Sequence, residues 1–380
     1  MTHILSPLPV DPRDPAAILE DLEAAIAGQA TLLPLPANDL TRAQLLRNHM
    51  RAGEAIDSSI ALVVATSGST GTPKGAQLSA ANLVSSADAT HRALGGTGQW
   101  LLAMPASHIA GIQVLVRSLV AGVEPLCLDL SHGFNIGDFA SAAHELHATG
   151  DRSYTALTPM QLAKAMDSLE GIEALRTFDA ILVGGAATHP QLLNSAKKLR
   201  ISIVTTYGSS ETAGGCVYNG EPLDSARVRI GEENRIYLGG PMIAQGYRNV
   251  DSDVFMVDES GTSWFATSDT GALHDGHLTV TGRLDAIINS GGLKLHPEQL
   301  EQHILRVPGV EAACVVGIPD PRLGQMVVAA YSGWASRTDI LEALDDLPRW
   351  QVPKDLLRVD SLPTIGPGKV DRQAVAELFA

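Results

Sequence analysis

Apolar runs alternate with amphipathic stretches through the first two hundred residues. Runs rich in branched side chains lie at 59–66, 100–105, 123–130, 179–185 and 201–208. Because a strand that is covered on both faces is apolar throughout, these runs predict buried strands. Residues 15–28 and 189–200 instead carry apolar residues at helical spacing. This alternation of strands and helices predicts an α/β domain with a largely parallel sheet.

Local signals place several boundaries within this domain. A Pro-rich connection is predicted between the helix at 15–28 and the strand at 59–66. Ser79 stands just before a helical stretch and is the expected N-cap of that helix. The Gly- and Ser-rich segment 67–75 is therefore predicted to link a buried strand to a helix.

The pattern changes near residue 225 and again near residue 285. Short strand-like segments lie at 227–230, 235–240, 263–273 and 277–284. They predict a mainly antiparallel region, in which Asp275–Gly276 forms a tight hairpin turn. The last hundred residues predict a small α+β domain. Its expected elements are helices at 296–305 and 338–347 and strands at 310–318 and 326–332.

Composition narrows the class of protein. The chain has 380 residues, which is long enough for two domains. Its formal net charge is −15. The excess of acidic residues argues against nucleic acid or an anionic membrane as a partner, because both call for a basic surface. Cys127, Cys216 and Cys314 have no CxxC spacing, so a reducing cytoplasm is expected rather than a disulfide framework. Neither a signal peptide nor a membrane span is predicted.

The segment SGSTGTPKG at 67–75 suits a polyphosphate. Glycines let the backbone approach a ligand closely, and successive N–H groups can form a concavity that binds anions. Lys74 adds a positive charge. The register is not that of GxxxxGK[ST], because Lys74 follows Pro73 and precedes Gly75. A surface loop without a ligand is the alternative.

Three further segments carry candidate chemistry. In 205–212, Tyr207 can stack on a base and Glu211 can hold Mg²⁺. In 268–285, Asp269 can accept both ribose hydroxyls and Arg283 can contact ribose or phosphate, while a local Asp–Arg pair is the alternative. In 363–372, Lys369 lies on a turn bounded by Gly and Pro. A solvated side chain is the alternative for Glu211 and for Lys369.

These four segments, in this order, resemble the adenylate-forming superfamily of acyl-CoA ligases, luciferases and carrier-protein adenylation domains. The likeness runs from about residue 59 to residue 372. It implies an α/β fold with a large N-terminal AMP-binding domain, residues 1–283 and abbreviated at its start. That domain would combine mostly parallel sheets with an antiparallel β region. Residues 284–380 would form a small, mobile α+β domain.

The resemblance also implies a role for each matching residue. Lys369, His108 and Lys74 would be catalytic, with Lys369 delivered from the small domain to the reacting carboxylate. Glu211 would hold Mg²⁺, and Asp285 would be the hinge. ATP and CoA would be bound by Thr66, Ser67, Gly68, Ser69, Thr70, Gly71, Thr72, Gly184, Gly185, Ala186, Tyr207, Gly208, Thr212, Asp269, Arg283, Gly291 and Gly292. Within this set, Gly291 and Gly292 would line the path of the pantetheine thiol.

Residues 108–122 indicate which carboxylic acid is the substrate. They are similar to the matching segment of O-succinylbenzoate–CoA ligases of menaquinone biosynthesis. Arg117 belongs to this likeness and is a candidate for the second carboxylate of 2-succinylbenzoate, with a structural role as its alternative. Other readings are a ligase for another aryl or short acyl acid, an enzyme that loads a carrier protein, and a nucleotide-binding relic without activity. The resemblance leaves a homodimer open.

Overall fold

The computed structural model describes residues 2–66, 72–365 and 369–379, without the side chains of Ile365 and Lys369. The chain packs into two compact units. The first combines Met1–Arg229 with Tyr237–Ala266, and the second combines Ile230–Ile236 with Thr267–Ala380. These units are defined by packing, whereas the predicted boundary between residues 283 and 284 concerns a moving domain. That boundary therefore stays a prediction.

The first sheet of unit 1 has the strand order β3-β1-β2-β4-β5. Its strands are β1 (Thr2–Val10), β2 (Thr31–Pro36), β3 (Ala55–Asp57), β4 (Ile60–Ala65) and β5 (Gly75–Ser79), with helices α1 (Leu19–Ile26) and α2 (Leu40–His49). β1, β2 and β4 run parallel, and β5 is antiparallel to β4. The sheet buries an apolar cluster that includes Leu5, Leu33 and Val63.

Two expectations for this region were wrong. The Pro-rich connection contains β2, which pairs with β1 along six residues. Prolines at alternate positions, such as Pro34 and Pro36, remove N–H groups from one edge of a strand and leave the other edge able to pair. Segment 67–75 does not lead directly to a helix, because the unpredicted strand β5 follows it. The predicted helix then begins after Ser79, whose side chain caps it as expected.

The second sheet of unit 1 has the order β12-β11-β10-β9-β8-β6-β7. Its strands are β6 (Gln99–Leu102), β7 (Leu126–Cys127), β8 (Ser153–Leu157), β9 (Ala180–Val183), β10 (Ile203–Ser209), β11 (Gly214–Tyr218) and β12 (Glu221–Pro222). The accompanying helices are α3 (Ala80–Ala93), α4 (Ile109–Ala121), α5 (Ile136–Ala148), α6 (Pro159–Met166), α7 (Leu169–Leu175) and α8 (Pro190–Lys198). β6 to β10 are mutually parallel, as the apolar runs predicted. Helices α5 to α8 pack onto this sheet through a core that includes Phe139, Phe178 and Ile181.

The antiparallel region follows, as predicted. Its strands are β13 (Arg227–Ile230), β14 (Arg235–Gly239), β15 (Phe255–Val257), β16 (Ser263–His274) and β17 (His277–Arg283). In unit 1, β15 pairs with the start of β16. In unit 2, the end of β16 pairs with β17. The turn between β16 and β17 is Asp275–Gly276, with φ of 50° and 82°, so the predicted hairpin is confirmed.

Unit 2 continues as a small α+β fold, again as predicted. Its further strands are β18 (Ile288–Ser290), β19 (Leu293–Leu295), β20 (Val310–Asp320), β21 (Gly324–Gly333), β22 (Asp355–Arg358), β23 (Thr364–Ile365) and β24 (Lys369–Val370), with helices α9 (Pro297–Leu305), α10 (Arg337–Ala343) and α11 (Arg372–Glu377). Both faces of β20 are buried. Val315 packs in the core that includes α9 and α10, while Cys314 and Val316 pack in the core that includes Val375 of α11.

Short 3-10 turns occur at Pro15–Ile18, Ser210–Thr212, Glu232–Asn234 and Leu284–Ala286. In the described parts of the chain, no helix combines the length and the apolar character that crossing a membrane requires.

Gly75 provides a direct test of the packing at the start of β5. A Cβ at this position would overlap the sulfur of Met50 and lie 2.8 Å from Cγ1 of Val63. We expect Gly75→Ala to lower the free energy of unfolding by about 1–3 kcal/mol, because the core there has no room for another methyl group. Urea unfolding followed by circular dichroism measures this.

The matched control is Gly137→Ala on α5, where the new Cβ would lie 3.4 Å from its nearest neighbour, the Asn135 side chain. This change should raise the free energy of unfolding by no more than about 1 kcal/mol. Equal stability of wild type and Gly75→Ala would contradict the packing described here.

Candidate active site

Several candidate residues of unit 1 lie at one edge of the second sheet. β6, β9 and β10 are parallel, so their carboxyl ends lie on the same edge. His108 follows β6, Gly184 follows β9 directly, and Tyr207 lies on β10. Ligands of α/β sheets bind outside the carboxyl ends of the strands. The structure therefore places these predicted residues where such a ligand would bind.

The end of β9 comes very close to β10. A Cβ on Gly184 would overlap Oγ1 of Thr206, so the backbones meet here only because residue 184 is glycine. Gly185 has a φ of 81° and, like Ala186, is exposed. Tyr207 is half-buried and Gly208 is exposed beside it. This part of the edge combines open backbone with an aromatic side chain, which are the features needed to hold a flat base.

The loop between β4 and β5 carries the predicted phosphate site. Ser67, Gly68, Ser69, Thr70 and Gly71 lie outside the described residues. Both ends of the loop are described. The N–H of Thr66 donates to the carbonyl of Lys74 at 2.7 Å, which closes the loop at its base.

Asn249 fixes the same loop from a distant part of the chain. Its Nδ2 donates to the carbonyl of Pro73 at 2.9 Å, and its Oδ1 accepts from the N–H of Gly75 at 3.1 Å. Thr72, between these anchors and the undescribed residues, is exposed. The amide of one residue thus satisfies backbone groups on both sides of Lys74.

Glu211 and Lys74 meet at a third side chain, that of Tyr247. The carboxylate of Glu211 is buried, with the residue 7% exposed, and its Oε1 accepts a hydrogen bond from Oη of Tyr247 at 2.8 Å. Nζ of Lys74 lies 5.0 Å from the centroid of the Tyr247 ring. Burial and the negative charge of Glu211 both raise the pKa of Tyr247, so its hydroxyl stays protonated and donates.

This arrangement fits a divalent cation beside a polyphosphate. Mg²⁺ is usually held by one or two carboxylates together with phosphate oxygens. Oε1 of Glu211 accepts the hydrogen bond from Tyr247, and the second carboxylate oxygen can coordinate a cation. The neighbouring Thr212 is fully buried, and its hydroxyl donates to the carbonyl of Gly214 at 2.6 Å. Thr212 therefore shapes the turn after β10, and its contact with a nucleotide stays a prediction.

The candidate ribose residues lie in unit 2. Asp269 and Arg283 are opposite each other on β16 and β17. Nη1 of Arg283 lies 3.1 Å from Oδ1 of Asp269, and its Nε and Nη2 bind both oxygens of Asp285 at 2.8 and 2.6 Å. These hydrogen bonds and charges raise the pKa of Arg283. The local Asp–Arg pair is thus present, and it also includes the predicted hinge residue Asp285.

Two other predictions fall in unit 2. Gly291 and Gly292 form the two-residue turn between β18 and β19, with φ of 61° and 82°, and both are exposed. Lys369 is the first residue of β24, while the position of its side chain lies outside the described residues. The CoA and lysine roles of these residues stay predictions.

Arg372 anchors the chain just after Lys369. Its Nη1 lies 2.8 Å from Oε1 of Glu301 on α9 and donates to the carbonyl of Val315 at 2.7 Å. Burial raises the pKa of Glu301, even though Arg372 acts in the opposite direction. Helix α11 is therefore tied to the core of unit 2, and with it the strand that begins at Lys369.

Side chains of α3, β6 and α4 form a buried polar cluster. His91, Trp100 and Arg117 are all buried, and the guanidinium carbon of Arg117 lies 4.8 Å from the Trp100 ring. Both ring nitrogens of His91 and Nε of Arg117 have no hydrogen-bond partner among the described residues. Burial lowers the pKa of Arg117. Both expectations for Arg117, a carboxylate partner and a structural cation, remain open.

His108 lies at the start of α4, where its environment lowers the pKa of its ring. It is the residue just before α4, and its N–H donates to the carbonyl of Pro105 at 3.2 Å. Burial lowers the pKa of His108, and the charge of Arg42 lowers it further. A neutral imidazole at the carboxyl end of β6 is therefore favoured, and a direct role in catalysis stays a prediction.

The sequence predictions missed Tyr247 and Asn249. Both lie in an irregular segment between β14 and β15, and both act on residues more than thirty positions away. A single aromatic residue among Gly, Gln, Arg and Asn is a weak signal, because it matches no motif and no periodicity. Only the tertiary structure brings these side chains to the candidate site.

Comparison with known proteins identifies the class. A family model described as AMP-binding enzyme matches residues 10–253, and a model of the C-terminal domain of AMP-binding enzymes matches residues 299–369. The chain belongs to the AMP-binding enzyme family.

Individual relatives show which members of this family the chain is similar to. The chain is 44% identical over 377 residues to a Mycobacterium tuberculosis protein named Probable 2-succinylbenzoate–CoA ligase, with 93% of this chain and 97% of the relative covered. It is 29% identical to the Escherichia coli 2-succinylbenzoate–CoA ligase, over 97% of this chain and 81% of the relative. The solved Bacillus subtilis o-succinylbenzoate CoA synthetase, in complex with its acyl-adenylate intermediate, has a TM-score of 0.82 at 21% identity, covering 98% and 88% of the two chains. At that identity the structural match concerns the fold.

His91 predicts how stability depends on pH. Its pKa is lowered, first by burial and then by the charge of Arg117, so the folded protein favours the neutral ring. Below about pH 6.5 the unfolded chain takes up a proton that the folded chain resists. The free energy of unfolding should therefore fall as the pH drops from 7.5 to 5.5, by at most about 1.4 kcal/mol per pH unit from this residue.

We expect His91→Leu to lose less stability between these two pH values than wild type, as measured by urea unfolding at each. The exposed His144→Gln serves as the control and should behave like wild type. An unchanged pH dependence in His91→Leu would show that other groups cause the acid sensitivity.

Proposed function

We propose that this enzyme is an ATP-dependent acid–CoA ligase that converts 2-succinylbenzoate, ATP and CoA into 2-succinylbenzoyl-CoA, AMP and diphosphate. The observation that carries the proposal is the 44% identity to a protein named Probable 2-succinylbenzoate–CoA ligase, over nearly the full length of both chains. The family match to both domains of AMP-binding enzymes supports the AMP-forming chemistry. The reaction would serve menaquinone biosynthesis in the cytoplasm.

The reaction has two halves. In the first, a carboxylate oxygen of the acid attacks the α-phosphorus of ATP, the bond to the β-phosphate breaks, and diphosphate leaves. In the second, the sulfur of CoA attacks the acyl carbon of the adenylate. The bond to AMP then breaks, and the thiol proton passes to solvent. Little covalent chemistry falls to the protein, so positioning and charge stabilisation are its main contributions.

Unit 1 is proposed to hold the polyphosphate and the base. Lys74 and the loop 66–72 would bind phosphate oxygens, with Mg²⁺ held by Glu211 to offset the charge of the diphosphate. Tyr207 would pack on the adenine beside the backbone of 184–186. The support is geometric, because these residues lie at the carboxyl edge of parallel strands or around the base of one loop. His108, at the same edge, would face the acyl carboxylate.

Unit 2 is proposed to complete the nucleotide and CoA sites. Asp269 and Arg283 would hold the ribose, and their 3.1 Å contact keeps the two side chains together. The exposed turn Gly291–Gly292 would line the pantetheine path. We further propose that residues 284–380 move as a domain relative to residues 1–283 about Asp285. Lys369 would then serve the first half-reaction and withdraw for the second.

A homodimer belongs to the same set of proposals, since the family resemblance leaves it open. Size-exclusion chromatography with light scattering gives the mass in solution. A mass near twice the 39.9 kDa of the chain would support a dimer, and a mass near 39.9 kDa would exclude it.

The function is tested with a panel of acids. Purified protein is incubated with ATP, Mg²⁺, CoA and, in turn, 2-succinylbenzoate, benzoate and short aliphatic acids. Mass spectrometry reads the thioesters, and a coupled assay reads diphosphate. We expect 2-succinylbenzoyl-CoA to form with the highest kcat/KM of the panel.

Efficient thioester formation from another acid, but not from 2-succinylbenzoate, would contradict the substrate. Replacement of CoA by a phosphopantetheinylated carrier protein tests the acceptor. Faster acylation of the carrier than of CoA would contradict the CoA ligase assignment.

Lys369 gives a sharper test of the mechanism. Removal of a charge that acts only in adenylation should slow that half-reaction by about 10²-fold or more. It should leave thioester formation from supplied acyl-adenylate near the wild-type rate. We therefore expect Lys369→Ala to separate the two half-reactions, as measured by ATP–diphosphate exchange and by thioester release.

Lys354→Ala is the matched control, since Lys354 is an exposed lysine of the same unit that contacts only a nearby backbone carbonyl in the described contacts. Both half-reactions should keep their wild-type rates in this variant. A proportional loss of both halves in Lys369→Ala would count against the proposed role.

A further inference from the structure

We propose that Tyr247 is a positioning residue for the metal and phosphate side chains of this enzyme, and the inference rests on the proposed function. Its hydroxyl donates a hydrogen bond to the carboxylate of Glu211, and its ring makes a cation–π contact with the ammonium of Lys74. Oη lies 2.8 Å from Oε1 of Glu211, and Nζ of Lys74 lies 5.0 Å from the ring centroid. One side chain therefore sets the positions of two groups that come from distant parts of unit 1.

The backbone of Tyr247 is held by the edge of the first sheet. The N–H of Arg248 donates to the carbonyl of Gly75 at 2.7 Å, and the N–H of Gln77 donates to the carbonyl of Gly246 at 2.9 Å. Nε2 of Gln77 donates to the carbonyl of Tyr247 itself at 3.2 Å. The residue is thus fixed against β5, the strand that leaves the phosphate loop.

The ring is held independently of the backbone. Its centroid lies 5.0 Å from that of Phe255 in an edge-to-face contact, and Phe255 stacks in turn on Phe265 at 5.2 Å. Such aromatic pairs favour a defined ring orientation. These contacts favour one position of the ring, and with it one position of the hydroxyl beside Glu211.

A tyrosine has a particular advantage in this place. It orients Glu211 with a neutral donor, so the carboxylate keeps its full negative charge for a cation. It orients Lys74 through its π face, so the ammonium keeps its full positive charge for a phosphate. No ion pair between Lys74 and Glu211 is found among the described residues. An Arg or Glu in place of Tyr247 would pair with one of the two charges.

The test is Tyr247→Phe, which keeps the ring and removes only the hydroxyl. Mn²⁺ that the protein retains at a fixed, saturating concentration of ATP is measured by ultrafiltration, with Mn²⁺ and ATP without protein as the baseline, because ATP itself chelates the ion. Residues that hydrogen-bond to metal ligands typically contribute about 10–100-fold to metal affinity. We expect the Kd of Mn²⁺ to rise about 10-fold, and the Mg²⁺ concentration needed for half-maximal ATP–diphosphate exchange to rise in parallel.

The matched control is Tyr154→Phe. Tyr154 is a buried tyrosine of unit 1, whereas Tyr247 is half-buried, and the hydroxyl of Tyr154 donates to backbone carbonyls of Leu94 and Gly96. This variant also loses a hydrogen-bonded hydroxyl and should keep the wild-type Kd for Mn²⁺. A second variant, Tyr247→Leu, removes the ring as well and should also weaken ATP binding without metal, because Lys74 loses its support.

Two results would overturn the inference. One is a wild-type Kd for Mn²⁺ in Tyr247→Phe, and the other is an equal rise in Tyr154→Phe, which would indicate general loss of stability. The outcome is separable from that of the proposed function. Wild type that forms no thioester with any acid, yet binds Mn²⁺ with ATP in a Tyr247-dependent way, would support this inference and contradict the proposed function.

Discussion

The pairing of residues 246–248 with the start of β5 is the interaction on which the candidate phosphate site depends. It holds Tyr247 beside the strand that leaves the phosphate loop, and Asn249 ties down the residues on either side of Lys74. The pairing needs Gly75, because any side chain there would overlap Met50 and Val63. Glu211 reaches the same point from the end of β10. Two sheets of unit 1 thus contribute to one small region, through both backbone and side-chain contacts.

Charge imposes a second constraint. The chain carries a formal net charge of −15, and ATP is itself strongly anionic, so attraction must come from a few local cations rather than from the surface as a whole. In unit 1, Lys74 lies on an aromatic face instead of on a carboxylate. In unit 2, Arg283 forms ion pairs with the carboxylates of Asp269 and Asp285. The two units therefore use their cations in different ways.

The sequence predicted those elements whose signals are local. Ser79 caps α3 because its hydroxyl reaches an N–H three residues on, and Asp275–Gly276 turns because both residues accept a positive φ. β2 was missed because its prolines suggest a connection, although one edge of the strand can still pair. β5 was missed because its five residues, GAQLS, have no strand pattern and gain their conformation by pairing with β4. Tyr247 was missed for the same physical reason, since its contact with Glu211 spans 36 residues of chain.

The most direct test of the account is a crystal structure of the protein with ATP and Mn²⁺, in which anomalous scattering locates the metal. We expect an anomalous peak within roughly 2.5 Å of a Glu211 oxygen and of phosphate oxygens. We also expect the Tyr247 hydroxyl to remain hydrogen-bonded to the other carboxylate oxygen. A metal bound to the nucleotide away from Glu211, with that carboxylate still held only by Tyr247, would contradict it.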